Sequence, residues 1–115
     1  MDSAEAKQAV VDSLKPYVAL YMGGMGAKDQ NFHKNVFERM GYAEITDEVQ
    51  ELFLNGERDK AAALIPNGLV DDLHIIGSAG EVRERVAEWE DTGVTMLVLS
   101  LRSADEVRRV AEVLA

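Results

Sequence analysis

The stretch Tyr21–Phe32 reads YMGGMGAKDQNF, with three glycines in four positions and a lysine two residues after the last of them. Glycine-rich loops of this composition capture phosphate with backbone amides and place a lysine on the terminal phosphate. The spacing argues against that chemistry here. A P-loop needs a second glycine five residues after the first, and Lys28 stands five after Gly23; the dinucleotide pattern G-x-G-x-x-G fails because Asp29 stands three after Gly26. Both motifs also follow a strand, whereas this stretch follows a helical pattern. Its residues read as a helix stop with left-handed glycines, then a short turn into the next helix. Met22 and Met25 flank the glycines, and their thioethers suit core filling or packing against a ring.

Other chemistry-bearing residues are sparse. His33 and His74 are the only histidines and are far apart in sequence; neither has a carboxylate in a metal-protease pattern, so no metal site is expected. His74 reads as a satisfied imidazole inside a strand, and His33 lies near a helix start just past the glycines. No serine stands in a G-x-S-x-G nucleophile elbow. The acid pairs Asp71-Asp72 and Glu88-Glu90-Asp91 fit solvated faces of an acidic chain. No local group of residues makes a complete catalyst, and the catalytic residues stay unassigned.

The elements that would position these residues follow from apolar spacing. Val10, Leu14, Tyr17, Val18 and Tyr21 give an apolar face to a helix over about Ala4–Met22, with a kink or restart expected at Pro16. Phe32, Val36, Phe37 and Met40 predict a second helix closed by Gly41, and Val49, Leu52 and Phe53 a third closed by Asn55-Gly56. A short helix over Ala61–Ile65 precedes Pro66. After Asn67-Gly68 the character changes. The run Leu73-His74-Ile75-Ile76 predicts a strand over about 72–76, and Ser78 with Glu81 forms a capping box opening a helix lined by Val82, Val86 and Trp89. Val94–Leu101 is nearly continuous in apolar residues, which predicts a second, parallel strand over about 94–100, covered on both faces. Ser103 with Glu106 repeats the box before a closing helix bearing Val107, Val110, Ala111 and Leu114. The expectation is an α/β chain of about six helices and two parallel strands, organised as a helical segment (1–66) and a strand-helix-strand-helix unit (67–115). Two strands do not make a comfortable sheet by themselves, so the pair reads as part of a larger one.

Length and composition set outer limits. At 115 residues and 12.7 kDa, the chain suits one domain. Twelve basic and 21 acidic residues give a formal net charge of −9, a field that repels nucleic acid and anionic lipid. The lack of cysteine removes disulfides and thiolate chemistry and fits a reducing compartment, with cytoplasm the default. No apolar run reaches the roughly 20 residues that span a bilayer, and the amino terminus lacks the pattern of a secretion signal.

The succession YMGGMGAKDQNF, FERMGY, EVQELFLNG, a short alanine-rich helix, then LHIIGSAGEVRERVAEWEDTGVTMLVLS resembles the carboxy-terminal third of the luciferase-like oxidoreductases that use the deazaflavin coenzyme F420. The resemblance spans nearly the whole chain. It implies a helix-rich carboxy-terminal fragment of a (β/α)8 barrel whose last two strands are the two predicted here. In a barrel the loops after the strands face the active site. That geometry makes Gly77 and Ser78 candidate cofactor contacts, because a helix amino terminus offers free amides to a phosphate or carboxylate; the alternative is that Ser78 simply caps its helix. Arg102, the one cation at a predicted strand end, is a candidate contact for a substrate carboxylate or phosphate or else an ordinary surface arginine beside the capped helix, and the resemblance implies a substrate-pocket border at Gly23, Gly24, Met25 and Gly26. The activity it implies is hydride transfer between deazaflavin and an organic substrate, incomplete in this chain alone. An FMN-dependent monooxygenase of the same class is the nearest enzymatic alternative. A non-catalytic module is the alternative from another class: it would self-associate through its exposed strand edges into a homo-oligomer.

Overall fold

The computed structural model describes residues 3–115, and its regular structure is helical throughout. Seven α-helices follow one another: α1 (Ala4–Gly23), α2 (Phe32–Phe37), α3 (Ala43–Leu54), α4 (Arg58–Ala63), α5 (Asn67–Leu73), α6 (Ala79–Glu90) and α7 (Ala104–Leu114), with a wide π turn, Glu38–Tyr42, between α2 and α3. Among the described residues there is no strand and no sheet. This corrects the expected α/β class and the barrel fragment with two parallel strands. Leu73 ends a helix, Ile75 and Ile76 follow it without regular structure, and Val94–Leu101 runs unpaired. The physical reason is that β-branched, apolar residues favour a pleated and half-covered surface, and a strand exists only where a neighbour supplies its hydrogen bonds. The chain folds into two compact units, Gln8–His74 and the two end segments comprising residues up to Lys7 with Ile75–Ala115.

The unit Gln8–His74 holds the core. Val11, Val18, Ala19 and Met22 of α1, Phe37 of α2, Val49 of α3, Ala61 of α4, Ile65, and Leu69 and Val70 of α5 are all buried. The buried stripe of α1 is rotated from the expected one, since Tyr17 and Tyr21 face solvent while Val11, Ala19 and Met22 do not. α1 runs unbroken past Pro16, so there is no restart. The expected helix ends at glycine are present. Gly41 closes α2 and its π turn with a φ of 102°. Gly56 (φ 82°) ends α3, where Glu57 N–H donates to Leu52 O at 2.9 Å and Gly56 N–H to Phe53 O at 3.1 Å. That pair of bonds is a Schellman closure, which satisfies carbonyls a helix end otherwise orphans.

α5 was not expected. Leu69, Val70 and Leu73 are spaced as on a helix face, and extended Pro66 ends one segment and starts the next. Asn67 and Gln8 join their side-chain amides reciprocally, at 2.9 and 3.2 Å.

The unit containing Ile75–Ala115 is organised by helix caps. Ser78 Oγ accepts from Glu81 N–H, and the Glu81 carboxylate accepts from Ser78 N–H at 2.7 Å, completing the expected capping box. At α7 the box is altered: Ser103 Oγ accepts from Glu106 N–H, but the Glu106 carboxylate accepts from Arg102 N–H, one residue earlier. α6 and α7 touch. Val82 and Val86 are half-buried and Trp89, expected in the buried face, is exposed. In α7, Val107 and Leu114 are exposed and Val110 is half-buried.

Candidate functional site

The glycine loop is built to close one helix against another. Gly23 ends α1 where a Cβ would lie 2.9 Å from Phe53 Cβ, 3.0 Å from Gln50 Cα and 3.1 Å from Val49 O. A side chain there would push α1 away from α3. A Cβ on Gly24 would strike the Phe53 ring. Gly26 has a φ of 146°, and a Cβ would meet Gln30 O at 2.5 Å. The turn after the glycines is held by two buried amides. Asn31 Nδ2 donates to Met22 O at 2.8 Å while its Oδ1 accepts from Lys34 N–H at 2.9 Å, so one side chain both anchors the end of α1 and caps α2. Gln50 Nε2 donates to Lys28 O at 3.2 Å. Asn31 and Gln50 were not singled out from sequence. The signal was available: Gln50 sits with Thr46, Val49 and Phe53 at i, i+3, i+4 and i+7 spacing, and a polar residue on such a stripe must find a partner when buried.

Met25 is exposed on this loop, and exposed rings stand beside it in the sequence. His33 packs edge-on against Tyr21, with ring centroids 4.9 Å apart, and against Phe32 at 5.7 Å. A second polar group lies nearby in the same unit. Lys34 pairs with Asp47 and, at 3.8 Å, with Glu38, whose carboxylate accepts from the Thr46 hydroxyl at 3.1 Å. The Lys34 ammonium holds the Asp47 carboxyl below its usual range. Tyr42 donates its hydroxyl to Asp72 at 2.9 Å, and desolvation together with that carboxylate raises the phenol above its ordinary value.

Gly77 and Ser78 stand at the start of α6. Gly77 is buried under the Glu81 side chain, and a Cβ there would lie 2.6 Å from Glu81 Oε2. This glycine allows the capping glutamate to fold back. The Ser78 amide donates to Glu81, which also meets Lys7 at 3.7 Å. Those bonds hold the Glu81 carboxyl below its usual range, the Ser78 backbone bond contributing most. A deazaflavin phosphate would find this helix start already filled by a carboxylate, so Gly77 and Ser78 fit an anion only when Glu81 swings away. Arg102 is exposed at the end of the unpaired segment. Gly23, Gly24, Met25 and Gly26 share one loop within Gln8–His74, while Gly77, Ser78 and Arg102 belong to the other unit. His74 closes α5 with its Nδ1 2.9 Å from Val70 O, a satisfied imidazole as expected, though on a helix end. Among the described residues no group of His, Cys, Asp and Glu could hold a metal ion, and no helix is long and apolar enough to cross a membrane.

Comparison with known proteins supplies the remaining constraint. A Mycobacterium tuberculosis (strain ATCC 25618 / H37Rv) protein named as a coenzyme F420-dependent oxidoreductase is 50% identical over 105 residues, which cover 91% of this chain and 30% of that protein. The chain thus spans less than a third of the length of this curated relative. No solved structure matches it. Residues 1–96 match the luciferase-like monooxygenase family, so the Tyr21–Phe32 loop, its two buried clamps and the capped α6 are those of a chain that belongs to that family.

Proposed function

We propose that this chain is the carboxy-terminal part of a coenzyme F420-dependent luciferase-like oxidoreductase, which moves a hydride between the deazaflavin and an organic substrate in the cytoplasm. The observation that carries this reading is the 50% identity, over nearly the whole chain, to a relative named as F420-dependent. The coenzyme supplies the reactive carbon, and the protein supplies orientation and a dry surface. In this reading Gly23, Gly24 and Gly26 fix the path of a loop that borders the substrate, Met25 offers its exposed thioether to it, and Arg102 offers a guanidinium to a substrate anion. The closed cap at Ser78 leaves no open phosphate cradle there, and no catalytic step is placed on it. The chain alone is expected to be inactive.

The test is a chimera in which these residues replace the matching 105 of the M. tuberculosis relative. The reading predicts that the chimera quenches or shifts deazaflavin fluorescence on titration and turns over, while this chain alone binds neither deazaflavin nor FMN. A folded chimera that binds FMN and not deazaflavin would move the assignment to the FMN-dependent monooxygenases of the family. A folded chimera that binds neither would defeat it.

A further inference from the structure

We infer that Gln50 is a positioning residue: on the reading that the Tyr21–Phe32 loop borders the substrate, the Gln50 amide, reaching from α3 to the Lys28 carbonyl, sets where Met25 stands against it. Gln50 is 2% exposed, and its Nε2 donates to Lys28 O at 3.2 Å across 22 residues of sequence. The same residue shapes the start of the loop, since a Cβ on Gly23 would lie 3.0 Å from Gln50 Cα. Asn31 ties the two ends together, Nδ2 to Met22 O. Inside those ties Gln30 N–H donates to Ala27 O at 2.9 Å, while Gly24 and Gly26 lie too close to the Phe53 ring and to Gln30 O to admit a side chain. Met25, 43% exposed between those two glycines, is the large apolar side chain that this frame presents.

Stability alone does not call for a glutamine at this position. Burying an amide carries a desolvation cost, and a single neutral hydrogen bond returns little net beyond it. An apolar side chain of similar size would extend the Val49–Phe53 stripe of α3 without that cost. What the amide adds is direction, because a bonded polar group in the interior selects one arrangement of the loop over its near neighbours. Asn31 cannot be separated from helix stability in this way, since it also caps α2, whereas the Gln50 bond ends on the loop alone. Hydride transfer needs its reacting atoms held about 3–3.5 Å apart, so a border residue displaced by about 1 Å changes how the substrate is seated.

The test has two arms. In the full chain, Gln50→Leu replaces the amide by an apolar side chain of similar size, and Gln50→Glu keeps its shape but loses the donor. In both, NMR backbone order parameters over Met25–Lys28 should fall from about 0.85 to below about 0.6, while the urea midpoint of Gln50→Leu stays near that of the parent. Val70→Ala, a cavity in the core at α5, should lower the midpoint and leave those order parameters unchanged. The second arm puts Gln50→Leu into the chimera with the M. tuberculosis relative and follows hydride transfer from reduced deazaflavin to menadione, a quinone. KM for menadione should rise about tenfold, with kcat and deazaflavin affinity within about twofold of the parent chimera. Order parameters unchanged in both Gln50 variants, or lowered equally by Val70→Ala, would overturn the clamp. A loosened loop with an unchanged KM, or a joint loss of kcat, KM and deazaflavin affinity, would overturn its role at the substrate and leave the F420 reading standing. A parent chimera that binds no deazaflavin or moves no hydride would defeat that reading, and the order parameters alone would then decide whether Gln50 positions the loop.

Discussion

Residues Gln8–His74 and residues Ile75–Ala115 both carry abundant apolar side chains, yet only the first set buries them. Every buried hydrophobic side chain of the described residues, from Val11 to Val70, lies in Gln8–His74. From Ile75 onward only Gly77 is buried, while Trp89, Met96, Val98, Leu99 and Val107 are exposed. The difference teaches which forces act locally and which need company. A capping box works within four residues, so α6 and α7 start where their serines stand whatever surrounds them. Burial requires a second apolar surface. Isolated helices of 11 or 12 residues are marginal in water without it.

The comparison can be broken most directly with one substitution made twice. Leu69→Ala, at a fully buried site in α5, should cost about 2–5 kcal/mol through lost transfer and a residual cavity. Leu99→Ala should cost no more than about 0.5 kcal/mol in dilute solution. Urea melts of the two variants check this, and equal losses would mean that Val94–Leu101 packs as tightly as the core. Asn31→Ala comes next. It leaves the Met22 carbonyl without its donor and uncaps α2, for a loss of about 2 kcal/mol in the same melts. Ser78→Ala should cost about 1 kcal/mol, confined to α6, so that amide exchange quickens in the first turn of α6 and the main melt stays put.

The smallest effect is that of pH. The Glu81 carboxyl is held below the ordinary glutamate value of 4.5, chiefly by the Ser78 backbone bond and then by the Ser78 hydroxyl and Lys7. Its folded value being depressed, the cap's contribution is present above about pH 4.5 and is lost as pH falls through the lowered value. Exchange at the start of α6 should quicken across that acidic window, and Glu81→Gln should abolish the pH dependence.

What the sequence made legible follows the same division. Gly41, Gly56 and the Ser78-Glu81 pair announced helix ends correctly because their chemistry is local. The two strands were read from β-branched and apolar composition, which describes a good fit to a sheet and does not supply one. α5 went unseen because Asn67-Gly68 reads as a turn, while the reciprocal Gln8–Asn67 amide bonds lie 59 residues apart in sequence. Of the candidate site, the glycines were legible as a helix stop. Their second role, admitting Phe53 and the α3 backbone, could not be read from spacing because it depends on which helix lies opposite.

The central claim is that Gln8–His74 carries the stability and Ile75–Ala115 carries capped helices without a core. Native-state hydrogen exchange in dilute solution tests it residue by residue. The account predicts that amides of α1 from Val11 onward and of α3 exchange only through global unfolding, while those of α6 and α7 exchange through far less costly local opening. Equal protection in the two sets would contradict it.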